Sequence, residues 1–374
     1  ILNLSHFIYP LIYLIKIKKK EWDIIICHES YLMPLCIFLK LFKKIHIANY
    51  IWDPIQYIYE RVYSKNHNYF FQKIFASYYL QKPIRKFRYL VKNYESVLIV
   101  FPTLCPLAYR FAKKVQKISP NKCLFVLRIS GSESRGIFAY SNFHEDLKAF
   151  LQETKLDNFR IGVEVMTVLT LLLDNGIEPT KVFWCPIPSK VINLPKSKAI
   201  FSKSESLNIG FLGSARESKG FDAIPTITKS LIENDIDFKI FTQLPSFPWL
   251  KSKSTIAELE KFGDKICLVD SMIDDFALEN LLQRMNILIL PYDLKTYRFA
   301  GSGILYRAAD LGIPVLTYRG VGFDWDIKTY KIGNLFNSLN EIPKLIYESS
   351  IWDLNNYYFY SRARNSALKK IFNF

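Results

Sequence analysis

The sequence predicts an α/β protein of two domains, each built on a parallel sheet, and three observations carry that expectation. The chain has 374 residues, more than one typical domain and enough for two of moderate size. Apolar runs rich in Ile and Val alternate along its length with longer stretches of helical periodicity, the pattern of strand–helix–strand units. Half of the residues are apolar, which allows a sizeable core and excludes global disorder.

In the first part, strands are predicted at Trp22–His28, Lys44–Ile51, Ser96–Phe101, Cys123–Ile129, Phe159–Val165 and Val182–Pro188. Helical stretches lie between them, notably residues 55–92 with a break at Pro83. Pro195 and a Ser/Lys cluster mark residues 191–206 as a linker between a first domain, 1–190, and a second, 207–350. The second domain reads as strands at Leu207–Gly213, Asp237–Gln243, Lys265–Asp270, Asn286–Tyr292 and Pro314–Tyr318. Helices are expected near 220–234, 254–262, 273–284 and 302–311, and a last one within residues 351–374 carries the aromatic run NNYYFYSRAR.

Charge is distributed unevenly. Residues 1–130 hold 21 Lys and Arg against 6 Asp and Glu, whereas residues 131–374 hold 29 against 28. Nearly all of the +16 net charge therefore belongs to the first third, which implies an anionic partner for that part: lipid headgroups, nucleic acid or a phosphorylated substrate. The apolar stretch Phe7–Ile15 is about half the ~20 residues that span a bilayer, so a transmembrane anchor is not expected and surface attachment is. Six scattered cysteines form no CxxC pair, which argues against a zinc site or a disulfide framework and fits a reducing cytosol.

Two segments carry chemistry. In NIGFLGSARESKGFD (Asn208–Asp222) a strand ends at Gly213-Ser214, passes Arg216 and Lys219, and enters a helix after Gly220. Glycine at a strand end admits a close ligand, and two cations at the carboxyl edge of a sheet suit a diphosphate. The plain alternative is a βα loop with two solvated charges. In ILPYDLKTYRFAGSGILYRAADLGIPVL (Ile289–Leu316) a strand delivers Tyr292 and Asp293, and Gly301-Ser302-Gly303 opens a helix closed by Gly312. Free N–H groups at such a helix start form an anion site; an ordinary glycine-rich cap is the alternative. Asp274 and Asp275 precede a helix and read as its cap and first-turn acids rather than as metal ligands.

With these motifs the chain resembles the GT-B glycosyltransferases, specifically the large retaining group (group 1, family 4-like) that includes sucrose synthases and bacterial mannosyltransferases. FLGSARESKGFD resembles that group's strand and Lys-Gly turn, and SGILYRAADLGIPVL its serine/glycine turn, helix and Gly-x-Pro-Val closure. SMIDDFALENLLQRMNILILPY resembles the stretch before that group's donor site and GIEPTKVFWCPIP the end of its first lobe, so the resemblance covers about residues 160–320 well and the N-terminal third only loosely. It implies two Rossmann-like lobes with an interlobe cleft and a donor site in the C-terminal lobe. Only 21 residues precede Trp22, where the group has a first strand, a glycine-rich loop and a helix, so the first lobe is expected to be shortened or incomplete at its start.

The resemblance also assigns residues. Lys219 matches the lysine on the donor diphosphate, with Arg216 as its partner; the group's arginine often stands at the position of Ser214. Gly213 lies at the strand end, and Ser302 and Gly303 match the turn whose amides receive phosphates. The group's two glutamates fall on Phe299 and Arg307; the second normally binds ribose hydroxyls. An altered donor grip or lost activity follows. Arg298 and Asp293 are the nearby candidates to compensate, and recruitment of Arg307 to the phosphates is the expectation. His28, after the strand Trp22–His28, is the candidate catalytic residue, although a lone histidine is more often structural.

The expected function is transfer of a sugar from a nucleotide-sugar donor to a polysaccharide or lipid-linked acceptor, with retention and without metal or cofactor. The expected location is cytoplasmic and bacterial, peripheral at the inner face of the membrane. A catalytically degenerate scaffold or binding subunit is the alternative. A nucleic-acid reading rests on KPIRKFRYLVKNY (Lys82–Tyr94) alone, and no nucleic-acid partner is expected.

Overall fold

The computed structural model describes residues 159–189, 206–246, 251–271, 273–348 and 353–369, together with five strands nearer the start of the chain. Two units result. Ile1–Glu164, Val168–Pro188 and Ser366–Phe374 form the first, and Val165–Thr167 with Ser189–Asn365 the second.

Strands of the first unit are β1 (Leu11–Ile12), β2 (Ile24–Cys27), β3 (Ala48–Asn49), β4 (Val97–Phe101), β5 (Cys123–Ile129), β6 (Phe159–Val163) and β7 (Val182–Trp184). Five of them make a parallel sheet in the order β2-β4-β5-β6-β7. Their sequences, IIIC, VLIVF and CLFVLRI among them, are the near-continuous apolar runs that a sheet covered on both faces requires. Of the expected strand Lys44–Ile51 the described residues are Ala48–Asn49, which pair antiparallel with β1 and not within the parallel sheet. Its isoleucines alternate with polar residues, a pattern that suits an antiparallel ribbon better than a doubly covered sheet. Helix α1 (Met166–Asp174) follows β6. The expected helical stretch 55–92, the basic segment Lys82–Tyr94, His28 and the linker up to residue 205 lie outside the described residues.

The second unit contains β8 (Leu207–Phe211), β9 (Phe238–Gln243), β10 (Ile266–Val269), β11 (Ile287–Leu290), β12 (Val315–Tyr318) and β13 (Gly333–Phe336). All pair in parallel in the order β10-β9-β8-β11-β12-β13. Counting from β8 this is 3-2-1-4-5-6, the doubly wound order, whose direction reverses between its first and fourth strands. Here those are β8 and β11, so the two chemistry-bearing segments of the sequence leave adjacent strands at the reversal. β13 was not expected. Its sequence GNLF is a poor strand former, and the pairing with β12 imposes the conformation; a Cβ on Gly333 would fall 1.9 Å from the Val315 carbonyl oxygen.

The helices are α2 (Ile224–Glu233), α3 (Ser252–Glu260), α4 (Asp275–Gln283), α5 (Leu294–Tyr297), α6 (Gly303–Asp310), α7 (Asp324–Tyr330), α8 (Ile342–Glu348) and α9 (Leu354–Lys369). Pro225 sits in the first turn of α2, where its missing N–H costs nothing, and Ile224, Ile227 and Leu231 bury one stripe against Ile209, Phe238, Ile287 and Ile289. Asp274 caps α4 by accepting from the Ala277 N–H at 2.7 Å, as its place before the apolar run predicts. α6 ends at Gly312, φ +69°, with Gly312 N–H donating to Ala309 and Ile313 N–H to Ala308. That is a Schellman closure, which only a residue tolerant of positive φ completes without strain. Behind α6, the fully buried Arg364 of α9 bonds Asp310 at 3.0 Å and the Tyr306 carbonyl at 3.2 Å. Among the described residues, no helix is long and apolar enough to cross a membrane.

Candidate functional site

The turn after β8 is locked in place by its glycines. Gly213 has φ +98°, and a Cβ there would come within 2.8 Å of Ile304 in α6. Gly220 has φ +74°, and its Cβ would lie 2.2 Å from the Pro291 carbonyl oxygen. The Asp293 N–H donates to the Ser218 carbonyl at 2.9 Å. No other residue fits both the left-handed backbone and the close approach at Gly220. The loop of Lys219 is thereby pressed onto the turn that follows β11.

Lys219 closes a short 3₁₀ turn, Glu217–Lys219, and lines a small open pocket with Gly213, Arg216, Thr242 and Tyr292. Burial, and then repulsion from Arg216, lower its pKa from 10.5 to about 8. Its Nζ stands 5.7 Å from the centre of the Tyr292 ring, and among the described residues no carboxylate pairs with it. A part-buried ammonium beside a second cation, with no counter-charge, is a costly arrangement that an anion would relieve.

Tyr292 joins the two motifs. Its buried ring packs on Tyr297 at 4.4 Å and edge-on to Phe323 at 5.9 Å, and burial raises the pKa of its hydroxyl. Ser302 Oγ lies 3.5 Å from that hydroxyl, a long hydrogen bond, and itself accepts from the Leu305 N–H at 3.3 Å as the cap of α6. The Tyr306 N–H is taken by the Ser302 carbonyl. Among the described residues the N–H groups of Gly303 and Ile304 have no partner, and Gly303 is exposed with open space where a Cβ would point.

The other sequence-derived candidates fall elsewhere. Gly213 lines the pocket, but its N–H donates to Gln243 Oε1 at 2.8 Å, so it offers space rather than a donor. Ser214 flanks the lining residues without being one of them. Asp293 spends its carboxylate capping α5, accepting from Thr296 N–H at 2.7 Å and Oγ1 at 2.6 Å. Arg298 is exposed, its guanidinium 5.3 Å over the ring of Phe299. Arg307 Nη2 pairs with Asp275 at 2.6 Å, while its Nη1 is buried with no partner among the described residues. Among the described residues no three His, Cys, Asp or Glu side chains converge. Sequence reading missed Thr242 and Gln243, two buried polar residues at the carboxyl end of β9. The signal was present: FKIFTQ turns polar where the strand meets the edge that the other two motifs share.

Neither a family model nor a curated protein matches the sequence. Solved structures do match in three dimensions. A UDP-forming α,α-trehalose-phosphate synthase from Burkholderia xenovorans superimposes with a TM-score of 0.57 at 9% identity, covering 87% of this chain and 84% of that one. TarM gives 0.51 at 15% identity over 79% of this chain; the match spans only 55% of TarM. Anabaena HepE, in complex with UDP and glucose, gives 0.50 at 12% identity, covering 79% of this chain and 77% of that one. At such identities the similarity concerns the fold, and that fold is GT-B: α/β, with the parallel sheets that the sequence predicts.

Proposed function

We propose that the chain is a glycosyltransferase that takes a sugar from a nucleotide-sugar donor. The observation that carries this reading is Lys219: a part-buried cation with no counter-charge among the described residues, on the switch-point edge of a doubly wound sheet, next to the capped start of α6. In this reading Lys219 and Arg216 hold the donor diphosphate, and the N–H groups of Gly303 and Ile304 receive a phosphate oxygen. As the bond to the sugar breaks, these fixed donors stabilise charge gathering on the leaving group. The UDP-forming synthase and the UDP-bound HepE support a donor of this class. Retention and independence of metal and cofactor rest on the resemblance in sequence, and a catalytic part for His28 rests on its place at the end of a strand in ICHES.

The acceptor in this reading is a polysaccharide or lipid-linked glycan at the cytoplasmic face of a bacterial membrane. The charge of residues 1–130 supports that placement. The full chain should bind anionic vesicles with an affinity that falls steeply with salt, whereas residues 200–374 should not. Sedimentation with vesicles of graded anionic lipid measures this, and equal binding by both pieces refutes the membrane assignment.

One observation favours a second reading, a degenerate GT-B binding subunit. Arg307 stands where the resembled group has its ribose carboxylate, and the nearby Asp293 carboxylate is committed to a helix cap. A panel of nucleotide sugars separates the two by calorimetry and by hydrolysis. Binding with turnover of one donor supports the enzyme, and silence across the panel supports the scaffold.

A further inference from the structure

Burial and the repulsion of Arg216 both work to remove the proton of Lys219. Among the described residues that line the pocket with it, Arg216 and Tyr292 are the titratable ones; Phe211 of β8, Ile224 of α2, Thr242 of β9 and Ile289 of β11 bring no charge. Tyr292 meets the lysine with its ring, the Nζ standing over it at 5.7 Å from the centre. That ring cannot turn aside. Tyr297 packs on it at 4.4 Å, Phe323 meets it edge-on at 5.9 Å, and its hydroxyl lies 3.5 Å from Ser302 Oγ. Burial raises the pKa of the hydroxyl, so it stays protonated while Lys219 titrates and supplies no phenolate counter-charge. What faces the ammonium is the π system, whose partial negative charge attracts a cation more strongly as water is excluded.

We infer that the ring face of Tyr292 keeps Lys219 charged and in place, which makes Tyr292 a positioning residue that acts on bound phosphate through that lysine. An aliphatic side chain at this position leaves burial and Arg216 unopposed, and Lys219 then gives up its proton at lower pH. The neutral amine has no charge to offer a diphosphate. The hold on Lys219 stands whether or not the chain is a transferase; its consequence for the donor rests on the function proposed above.

The first measurement needs no ligand. Heteronuclear NMR of the Lys219 ε-carbon in the full chain, assigned by its loss in Lys219→Arg, gives the titration midpoint. Tyr292→Phe keeps the ring and should keep the midpoint. Forms of Tyr292→Phe with one, two and three ring fluorines draw charge from the face while changing its shape little. They should lower the midpoint stepwise, by about one pH unit at three fluorines. A ring that merely fills space gives one midpoint across the series, and that result overturns the inference. UDP affinity by calorimetry is the second readout. At pH 8 the trifluorinated form should bind about fivefold more weakly than Tyr292→Phe, the share of charged lysine such a shift removes, and at pH 6 equally well. The same loss at both pH values, with a fixed midpoint, marks a packing effect and again overturns it. A falling midpoint with unchanged UDP affinity upholds the hold on Lys219 and removes that lysine from the diphosphate, so the two readings fail separately.

Discussion

The turn after β8 and the helix α6 after β11 each bring a cation to the same edge of one sheet, and they treat it in opposite ways. Lys219 is sheltered, its pKa lowered to about 8, with no carboxylate beside it among the described residues. Arg307 is held at 2.6 Å by Asp275, a carboxylate that is 82% exposed. Keeping a cation unmatched costs the protein stability, so its retention points to a ligand that supplies the missing charge. A matched cation has its charge spent locally, and an exposed pair of this kind contributes only ~0–1 kcal/mol. A cation on the turn after one strand thus marks a ligand contact, and a cation on the helix after the neighbouring strand a helix-to-helix tie.

The strongest test of this contrast removes the unmatched cation. Lys219→Ala should lower nucleotide-sugar affinity or kcat/KM by about tenfold or more, the scale of a lost charge-assisted contact. The same variant should not lose thermal stability, since it deletes an uncompensated charge. Unchanged donor kinetics would remove Lys219 from the site.

The pH dependence comes next. Because the pKa of Lys219 is depressed to about 8, the cation is present below that value and lost above it. Donor affinity should therefore fall as pH rises from 7 to 9, by up to about tenfold if only the charged form binds. Folding stability runs the other way. An unfolded lysine holds its proton to higher pH, so between about 8 and 10.5 the unfolded chain binds more protons and the Lys219 contribution to stability increases with pH. Calorimetric titration of a nucleotide sugar across that range, beside Lys219→Ala as a flat reference, checks the sign. A profile unchanged by the substitution would assign the effect to another group.

The smallest effects are expected at Arg307. Arg307→Glu sets a second carboxylate against Asp275 and adds negative charge on the helix whose start faces the proposed phosphates, so nucleoside diphosphate binding should weaken by about threefold. Asp275→Asn sharpens the comparison, because it frees the guanidinium without moving it. Binding tightened about threefold would mean that Arg307 reaches the phosphates once released. No change would confine it to tying α4 to α6, and tighter binding by Arg307→Glu would restore the ribose-acceptor reading of that position.

Part of this site was legible in one dimension because its determinants are local. Asp274 bonds an N–H three residues on, Ser302 does the same for Leu305, and Gly312 closes α6 through carbonyls three and four residues back. Patterns confined to one helical turn can be read from consecutive letters. Asp293 shows the limit: its place in the sequence suggests a ligand contact, yet it caps the one-turn helix α5, which is too short to announce itself by periodicity. Thr242, Gln243 and Tyr292 acquire meaning only from neighbours that are distant in the chain.

By itself, then, the sequence determined the α/β class, the parallel character of the sheets and the ends of the longer helices. Runs such as IIIC, VLIVF and ILIL leave no solvated face for an antiparallel sheet, and cap residues act within a few positions of themselves. Tertiary structure alone decided which strands stand side by side. The pairing of β8 with β11 seats Gly220 against Pro291 and brings the α6 start beside Gly213, while the Arg307–Asp275 tie joins residues 32 positions apart. Strand order is a long-range choice, set by how two-faced apolar surfaces are jointly buried, and no window of consecutive residues contains it. Whether a given cation ends up matched, as Arg307 is, or held open, as Lys219 is, follows from that choice.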